Sequence, residues 1–326
     1  MAALKIGLTL GKYAPFHLGH KYVIDTAVSE MDRVIVMVYE DDITPIPTHV
    51  RANWIRELYP QGVEVVECYG CLQTVGYTPE IMRAHERYIL QAVGDRGITH
   101  FYSSEDYGEH VSKALAAADR RVDQSRSRFG ISSTAIRSDP YKHRAFIPDN
   151  VYRDLIVKAV FLGAESTGKT TIVKELARRY ATEFVPEYGA EYWLNHQQDM
   201  ILSPEQLVEI AKRHIEIEDS KILASNKYCF FDTNAITTYM YSKDYHGYAL
   251  PELETLAEGC RRRYDITFLC EDDIPYEDTW DRRGAEVRAV TQKKIADELS
   301  ARRIPFFRIS GSVRRRMKAV RDYISY

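Results

Sequence analysis

Two stretches of this chain combine glycines with groups that handle phosphate. The first is Gly11-Lys12-Tyr13-Ala14-Pro15-Phe16-His17-Leu18-Gly19-His20, and the second is Gly163-Ala164-Glu165-Ser166-Thr167-Gly168-Lys169-Thr170. Histidines at a strand-to-helix turn can bind and neutralise charge that builds on a departing pyrophosphate, and the helix N-terminus adds its own positive end. Gly19 lets backbone and phosphate approach closely. A metal site at His17 and His20 is the weaker alternative, because two histidines three apart have no evident third ligand. A third stretch, Ile131-Ser132-Ser133-Thr134-Ala135-Ile136-Arg137, offers hydroxyls and an arginine at a helix start. It reads as a second phosphate grip, or more simply as an N-cap at Ser132 or Ser133. The first and third stretches together describe nucleotidyl transfer. An incoming phosphate attacks the α-phosphorus of ATP, no protein nucleophile is needed, and His17, His20 and Arg137 supply positioning and charge stabilisation.

The second stretch matches the pattern G-x-x-x-x-G-K-[ST], preceded by an apolar run (Ala159-Val160-Phe161-Leu162) and followed by a helical pattern. Such a P-loop turns successive backbone N–H groups toward phosphates at a helix N-terminus. Gly163, Glu165, Ser166, Thr167, Gly168 and Thr171 would form the cradle. Lys169 would reach the β/γ-phosphates and Thr170 would hold Mg²⁺ through its hydroxyl. Asp232 ends the apolar run Tyr228-Cys229-Phe230-Phe231 and is the first choice to organise Mg²⁺, directly or through water; it is also a candidate base. Glu187 stands after a short strand pattern and is either the base that takes a proton from an acceptor hydroxyl or a surface acid. The polar stretch between Leu269 and Ala285, with Tyr276, Asp278 and Arg282, reads as a lid that excludes water from phosphoryl transfer, or as an ordinary exposed loop.

Strands and helices alternate around these stretches. Strands are expected at Leu4–Leu10, Arg33–Tyr39, Val63–Cys68 and Ile98–Ser103, with helices at Leu18–Glu30, Thr48–Leu58 (Thr48 as N-cap), Pro79–Val93 and on through Ala117. Two prolines break the pattern across Asp139–Asn150, so the linker falls there and leads into a short helix at Val151–Leu155. Strands are then expected at Val157–Leu162, Glu183–Pro186, Tyr228–Phe231, Ile266–Leu269 and Phe306–Ile309, and long helices at Ser203–Ala224 and Ala285–Arg302. The fold class is α/β in two domains, 1–150 and 151–326, each a parallel sheet built from right-handed βαβ units. Ligands on such sheets sit at the carboxyl ends of strands, where Gly11, Ser103 and Ser104 fall.

With 326 residues and 45% hydrophobic content, each half can bury its own core. The formal net charge of −3 gives no general reason to expect nucleic-acid binding. Of the local basic runs, Arg314-Arg315-Arg316 reads as a solvated helix face. No apolar run is long enough for a bilayer span and no signal peptide is apparent. Five cysteines without framework spacing, including a lone Cys68-x-x-Cys71, read as reduced thiols. These features point to a cytoplasmic protein with small-molecule partners, no nucleic acid and no membrane. A homo-oligomer is compatible with everything in the chain.

The pair Gly11–His20 and Ile131–Arg137, followed by Gly163–Thr170, resembles the bifunctional NadR-type family, in which an HxGH nucleotidyltransferase with a Rossmann-like sheet precedes a P-loop kinase. The resemblance runs along essentially the whole chain. It includes Arg51-Ala52-Asn53-Trp54, Ser103-Ser104-Glu105, Phe146-Ile147-Pro148, Glu187-Tyr188-Gly189 and Phe231-Asp232-Thr233. It implies nicotinamide-nucleotide adenylyltransferase activity in the first half, giving NAD from ATP and nicotinamide mononucleotide (NMN). It implies ribosylnicotinamide kinase activity in the second half, with Mg²⁺ and ATP, giving the NMN that the first half consumes. Lys12, Arg51 and Trp54 would then help hold NMN, Arg51 at its phosphate and Trp54 against its ring, although core packing accounts for Trp54 nearly as well. Three positions depart from the family pattern: Tyr13 for Phe, Ala190 for Arg, and Tyr276 for Trp. The competing readings keep the adenylyltransferase and make the P-loop half a nucleotide sensor, or a kinase for another small acceptor. With the first strand beginning near Leu4, the helix-turn-helix domain of larger family members has no room, and DNA binding is not expected.

Overall fold

The computed structural model describes residues 4–71, 78–105, 108–199, 201–275 and 285–324. The chain divides into two compact units, Met1–Tyr152 and Arg153–Tyr326.

The first unit runs β1 (Ile6–Gly11), α1 (Leu18–Glu30), β2 (Arg33–Tyr39), α2 (Thr48–Leu58), β3 (Val63–Cys68), α3 (Pro79–Val93), β4 (His100–Ser103), α4 (Gly108–Ala114), β5 (Ala118–Arg121) and α5 (Ser133–Ser138). A turn of 3₁₀-helix at Arg144–Phe146 then leads into α6 (Asp149–Leu155). The sheet order is β3-β2-β1-β4-β5, with every pair parallel. The continuous apolar run of β2 is buried over Val34–Val38, as a central parallel strand covered on both faces requires. Strand order reverses beside β1, so the crevice at the carboxyl ends of β1 and β4 is the natural ligand site.

The second unit runs β6 (Val157–Leu162), α7 (Lys169–Tyr180), β7 (Phe184–Val185), α8 (Tyr188–His196), α9 (Pro204–Ala224), β8 (Tyr228–Asp232), α10 (Ala235–His246), α11 (Pro251–Arg263), β9 (Ile266–Cys270), α12 (Ala285–Ala301), β10 (Phe307–Ile309) and α13 (Val313–Ile324). Its sheet, β10-β9-β6-β8-β7, is also parallel throughout. Here β6 lies between β8 and β9, so the first strand of this unit is separated from the second by the third. The two units are therefore different α/β folds. Phe161, Phe230 and Phe268 pack into one core beneath the helix α7 that follows the P-loop.

Most expected elements lie within a residue or two of their observed bounds. Strand β5 was not expected, because Ala118-Asp119-Arg120-Arg121 has no apolar pattern; among the described residues it pairs only with β4, at the sheet edge. Thr48 is not the N-cap of α2. That position is Pro47, and the Thr48 hydroxyl instead accepts from Arg51 at 3.1 Å. Cys68 and Cys71 are free thiols.

Candidate functional site

In the first unit, the carboxyl end of β1 turns into α1 through a reciprocal cap made by the two histidines. His17 Nδ1 accepts the Gly19 N–H at 3.1 Å, and His20 Nδ1 accepts the His17 N–H at 3.3 Å. The two rings stack with centroids 3.7 Å apart. Burial lowers the His17 imidazole to about 4, with help from the positive charge of Arg126. Burial, His17 and Arg126 likewise hold His20 well below the ordinary histidine range. Both rings are neutral near pH 7, and since each Nδ1 accepts, the remaining proton sits on Nε2. Each ring therefore has an Nε2–H free to donate into the pocket.

His17, Gly19 and His20 line one wall of a pocket of about 370 Å³, and Ser132, Ser133 and Thr134 line another. Ser104 belongs to the same pocket, while Ser103 is buried beside it with its hydroxyl donating to the Glu105 carbonyl at 3.3 Å. Ser132 caps α5 by accepting the Ala135 N–H at 3.2 Å. Ser133 Oγ donates to the Pro15 carbonyl at 3.0 Å, and Arg137 donates to the Ala14 carbonyl at 2.5 Å. The third sequence stretch thus clasps the first, across more than a hundred residues of chain. Tyr13 is buried with φ 50° and meets the His20 ring edge-on at 5.0 Å. A Cβ at Gly11 would stand 3.2 Å from the Tyr13 ring.

Arg51 and Trp54 are not where the sequence suggested. Arg51 is 1% exposed. Its guanidinium donates to the carbonyls of Ile46, Lys12 and Tyr39 and to Thr48 Oγ1, and pairs with Asp41 at 2.9 Å. Every arm of the fork is used in holding the segment after β2, so Arg51 is a frame residue and not an open phosphate ligand. Trp54, also 1% exposed, presents no open face to a ring, and its carbonyl accepts from Asn150 at 3.1 Å. Core packing is what this structure uses it for.

The pocket also contains residues that no motif marked: Asp123, Arg126 and Phe129. Asp123 accepts the backbone N–H of Ser127 and Arg128, which shapes the turn that presents Arg126. Their signal was only position, immediately ahead of Ile131.

In the second unit the P-loop joins β6 to α7. Gly163 (φ 148°) and Gly168 (φ 77°) adopt backbone angles that favour glycine. A Cβ at Gly163 would come within 2.8 Å of the Cys270 carbonyl. Lys169 Nζ donates to the Gly163 and Ala164 carbonyls, each at 3.0 Å, and Thr167 Oγ1 donates to Ala164 O at 2.7 Å. The Ser166 hydroxyl is buried with no partner among the described residues. Thr170 Oγ1 donates to Asp232 Oδ2 at 2.5 Å, while Asp232 Oδ1 is buried and unpartnered among the described residues. A hydroxyl and a carboxylate with one oxygen to spare suit Mg²⁺, which takes one or two protein ligands and completes its shell with water and phosphate.

Glu187 occupies the N-cap position of α8, without a side-chain capping bond. Burial raises its carboxyl, the nearby Lys169 opposes that shift, and Asp232 adds to it. It is half-buried, and its electrostatic partners Lys169 and Asp232 belong to the P-loop neighbourhood. Tyr188 lines a separate groove of about 590 Å³ along α9, which contains no P-loop residue. Glu165 accepts from Tyr241 at 3.4 Å. Thr171 is exposed on the first turn of α7. Ala190 is exposed on α8. Tyr276, Asp278 and Arg282 lie outside the described residues, so the lid stays an expectation. Arg314 and Arg315 are exposed, but Arg316 is 2% exposed and donates to the P-loop carbonyl of Thr167, which corrects the reading of all three as a solvated face.

Residues 8–139 match the cytidylyltransferase-like family and residues 158–316 an AAA domain family. Two curated relatives match across both units. One is the trifunctional NAD biosynthesis/regulator protein NadR of Escherichia coli (strain K12), 29% identical over 93% of this chain and 78% of the relative. The other, from Salmonella typhimurium (strain LT2), is 28% identical with the same coverage. The chain is similar to NadR along both units. Two solved NadR structures share the fold over 99% of this chain and 97% of theirs. One, in complex with NAD and AMP-PNP, gives a TM-score of 0.58 at 22% identity; the other, in complex with NR, gives 0.60 at 21%. The order of the two folds along the chain is the one expected from its motifs, a nucleotidyltransferase-like unit and then a kinase-like P-loop unit.

Proposed function

We propose that this chain makes NAD from nicotinamide riboside in two steps, phosphorylation by the second unit and adenylyl transfer by the first. The observation that carries the reading is the meeting of His17 and His20 with Ser132–Thr134 around one pocket, in a chain that also holds a complete P-loop.

In the first unit the NMN phosphate oxygen attacks the α-phosphorus of ATP. The new P–O bond forms as the α–β bridging bond breaks, and pyrophosphate leaves. The Nε2–H groups of His17 and His20, the hydroxyls of Ser132–Thr134 and the Arg126 guanidinium stabilise the leaving charge without protein reorganisation. Arg137 acts at one remove, by holding the Ala14 carbonyl and so the turn that carries the histidines. Lys12, next to Gly11 in the chain, remains the candidate for the NMN phosphate.

In the second unit the riboside 5′-hydroxyl attacks the γ-phosphorus and ADP leaves. Glu187, whose carboxyl is raised by burial, is suited to take the hydroxyl proton. Thr170 and Asp232 would hold Mg²⁺, which supplies charge neutralisation between the phosphates when bound. The Lys169 ammonium stabilises charge on the transferring group. The nicotinamide nucleotides, ATP and Mg²⁺ are the partners this reading requires. It goes with a cytoplasmic location; among the described residues no helix is long and apolar enough to cross a membrane.

The test is a product assay of the purified chain with ATP and Mg²⁺, given riboside in one reaction and NMN in another. The reading expects NAD in both. NAD from NMN alone would assign the P-loop unit to another acceptor or to nucleotide sensing, and NAD from neither would overturn the proposal.

A further inference from the structure

The P-loop is braced from behind by two side chains that lie outside every motif. Gln292, buried on α12, accepts the Ala164 N–H at 2.9 Å and donates to the Cys270 carbonyl at 2.9 Å. Arg316, buried on α13, donates to the Thr167 carbonyl at 2.5 Å, the Gly311 carbonyl at 2.9 Å and the Glu271 carbonyl at 2.8 Å, and to Asp273 Oδ1 at 2.5 Å. The other Asp273 oxygen accepts the Gly311 N–H at 2.5 Å. Each side chain therefore ties the P-loop to the segment where β9 ends, Gln292 at Cys270 and Arg316 at Glu271 and Asp273.

Peptide geometry gives these ties a consequence for phosphate. The Thr167–Gly168 peptide is trans, and in a trans peptide the C=O and N–H point in opposite directions. Pinning the Thr167 carbonyl to Arg316 turns the Gly168 N–H to the opposite side, where a P-loop presents its donors to phosphate. Gln292 takes the Ala164 N–H, leaving the Ala164 carbonyl to Thr167 and Lys169. A loop fixed in this way has paid its ordering cost before the nucleotide arrives.

We propose that Arg316, seconded by Gln292, is a positioning residue of the nucleotide site, which fixes the P-loop peptides in their phosphate-binding orientation by bridging them to the end of β9. The proposal rests on the P-loop unit binding a nucleoside triphosphate, but not on the identity of the acceptor. Lysine in place of Arg316 keeps the charge and loses the planar fork, so it cannot make the four bonds together.

The experiment measures, by calorimetry on the full chain, the Mg·AMP-PNP binding that Lys169→Ala abolishes, which assigns it to the P-loop and not to the ATP site of the first unit, for wild type, Arg316→Lys, Arg316→Ala and Asp273→Asn. Melting temperature reports folding of the second unit, and NAD formation from NMN that of the first. Arg316→Lys should weaken AMP-PNP about tenfold and Asp273→Asn about threefold, the range expected for losing buried charged hydrogen bonds. Millimolar guanidinium should recover part of the affinity of Arg316→Ala. A purely structural role would lower the melting temperature and leave the affinity of the folded protein unchanged; folded Arg316→Lys with wild-type affinity overturns the proposal. If both Arg316 variants fail to fold, folded Asp273→Asn decides, and unchanged affinity there also overturns it. A wild type that binds AMP-PNP at the P-loop but phosphorylates no riboside defeats the kinase reading and leaves this one standing, whereas a wild type with no AMP-PNP binding at the P-loop defeats both.

Discussion

On the proposed reading, the two units meet phosphate with opposite means. The first uses side chains, two neutral stacked imidazoles and a row of hydroxyls, organised by local capping bonds and by the Ser133 and Arg137 clasp. The second uses backbone N–H groups with one lysine, organised by distant buried side chains, Gln292 and Arg316. Side-chain donors carry their own chemistry and need only be aimed. Peptide donors are generic, so the fold must hold the loop that carries them.

Asp232→Asn presses hardest on this contrast. It removes the carboxylate paired with Thr170, and riboside phosphorylation should fall by about a thousandfold, on the scale of losing a preorganised electrostatic partner. NAD formation from NMN should be unchanged, and a parallel loss of both would break the division between units. His17→Ala is next. Adenylyl transfer should drop about a hundredfold, because both a pocket donor and the cap of α1 are lost. Steady-state rates of pyrophosphate release measure it.

Arg51→Met separates frame from ligand. It leaves Asp41 and three carbonyls without their buried partner, so the first unit should lose about 3 kcal/mol of stability, read by denaturant unfolding. A higher KM for NMN at unchanged stability would instead restore Arg51 to the phosphate.

The smallest effect is one of pH. His17 titrates near 4 in the fold and at 6.5 once unfolded, so between those values the unfolded chain binds more protons. Stability of the first unit should therefore fall as pH drops from about 6.5 toward 4. Melting curves across that range should flatten in His17→Asn. An unchanged slope would mean that His17 is not held neutral.

What the sequence made legible follows the same contrast. The P-loop could be read because its geometry is local: glycines, lysine and threonine in one stretch between an apolar strand and a helix. His17-x-x-His20 could be read for the same reason. Arg316 could not, since within Arg314-Arg315-Arg316 nothing distinguishes the one guanidinium that turns inward. Arg51 was misread because residue type does not separate an arginine offered to phosphate from one consumed by carbonyls; the difference lies in the path of residues 39–48, which brings those carbonyls around it. Arg126 lies in a turn set by Asp123, where no periodicity gives a signal. The edge strand β5 forms by pairing with β4 and not by any propensity of its own residues.

The most direct measurement is a crossed assay of two full-length variants, His20→Ala and Lys169→Ala, each folded and each given riboside or NMN with ATP and Mg²⁺. With separate sites, His20→Ala should convert riboside to NMN and stop there. Lys169→Ala should make NAD from NMN and nothing from riboside. Loss of both activities in either folded variant would contradict two independent phosphate sites in one chain.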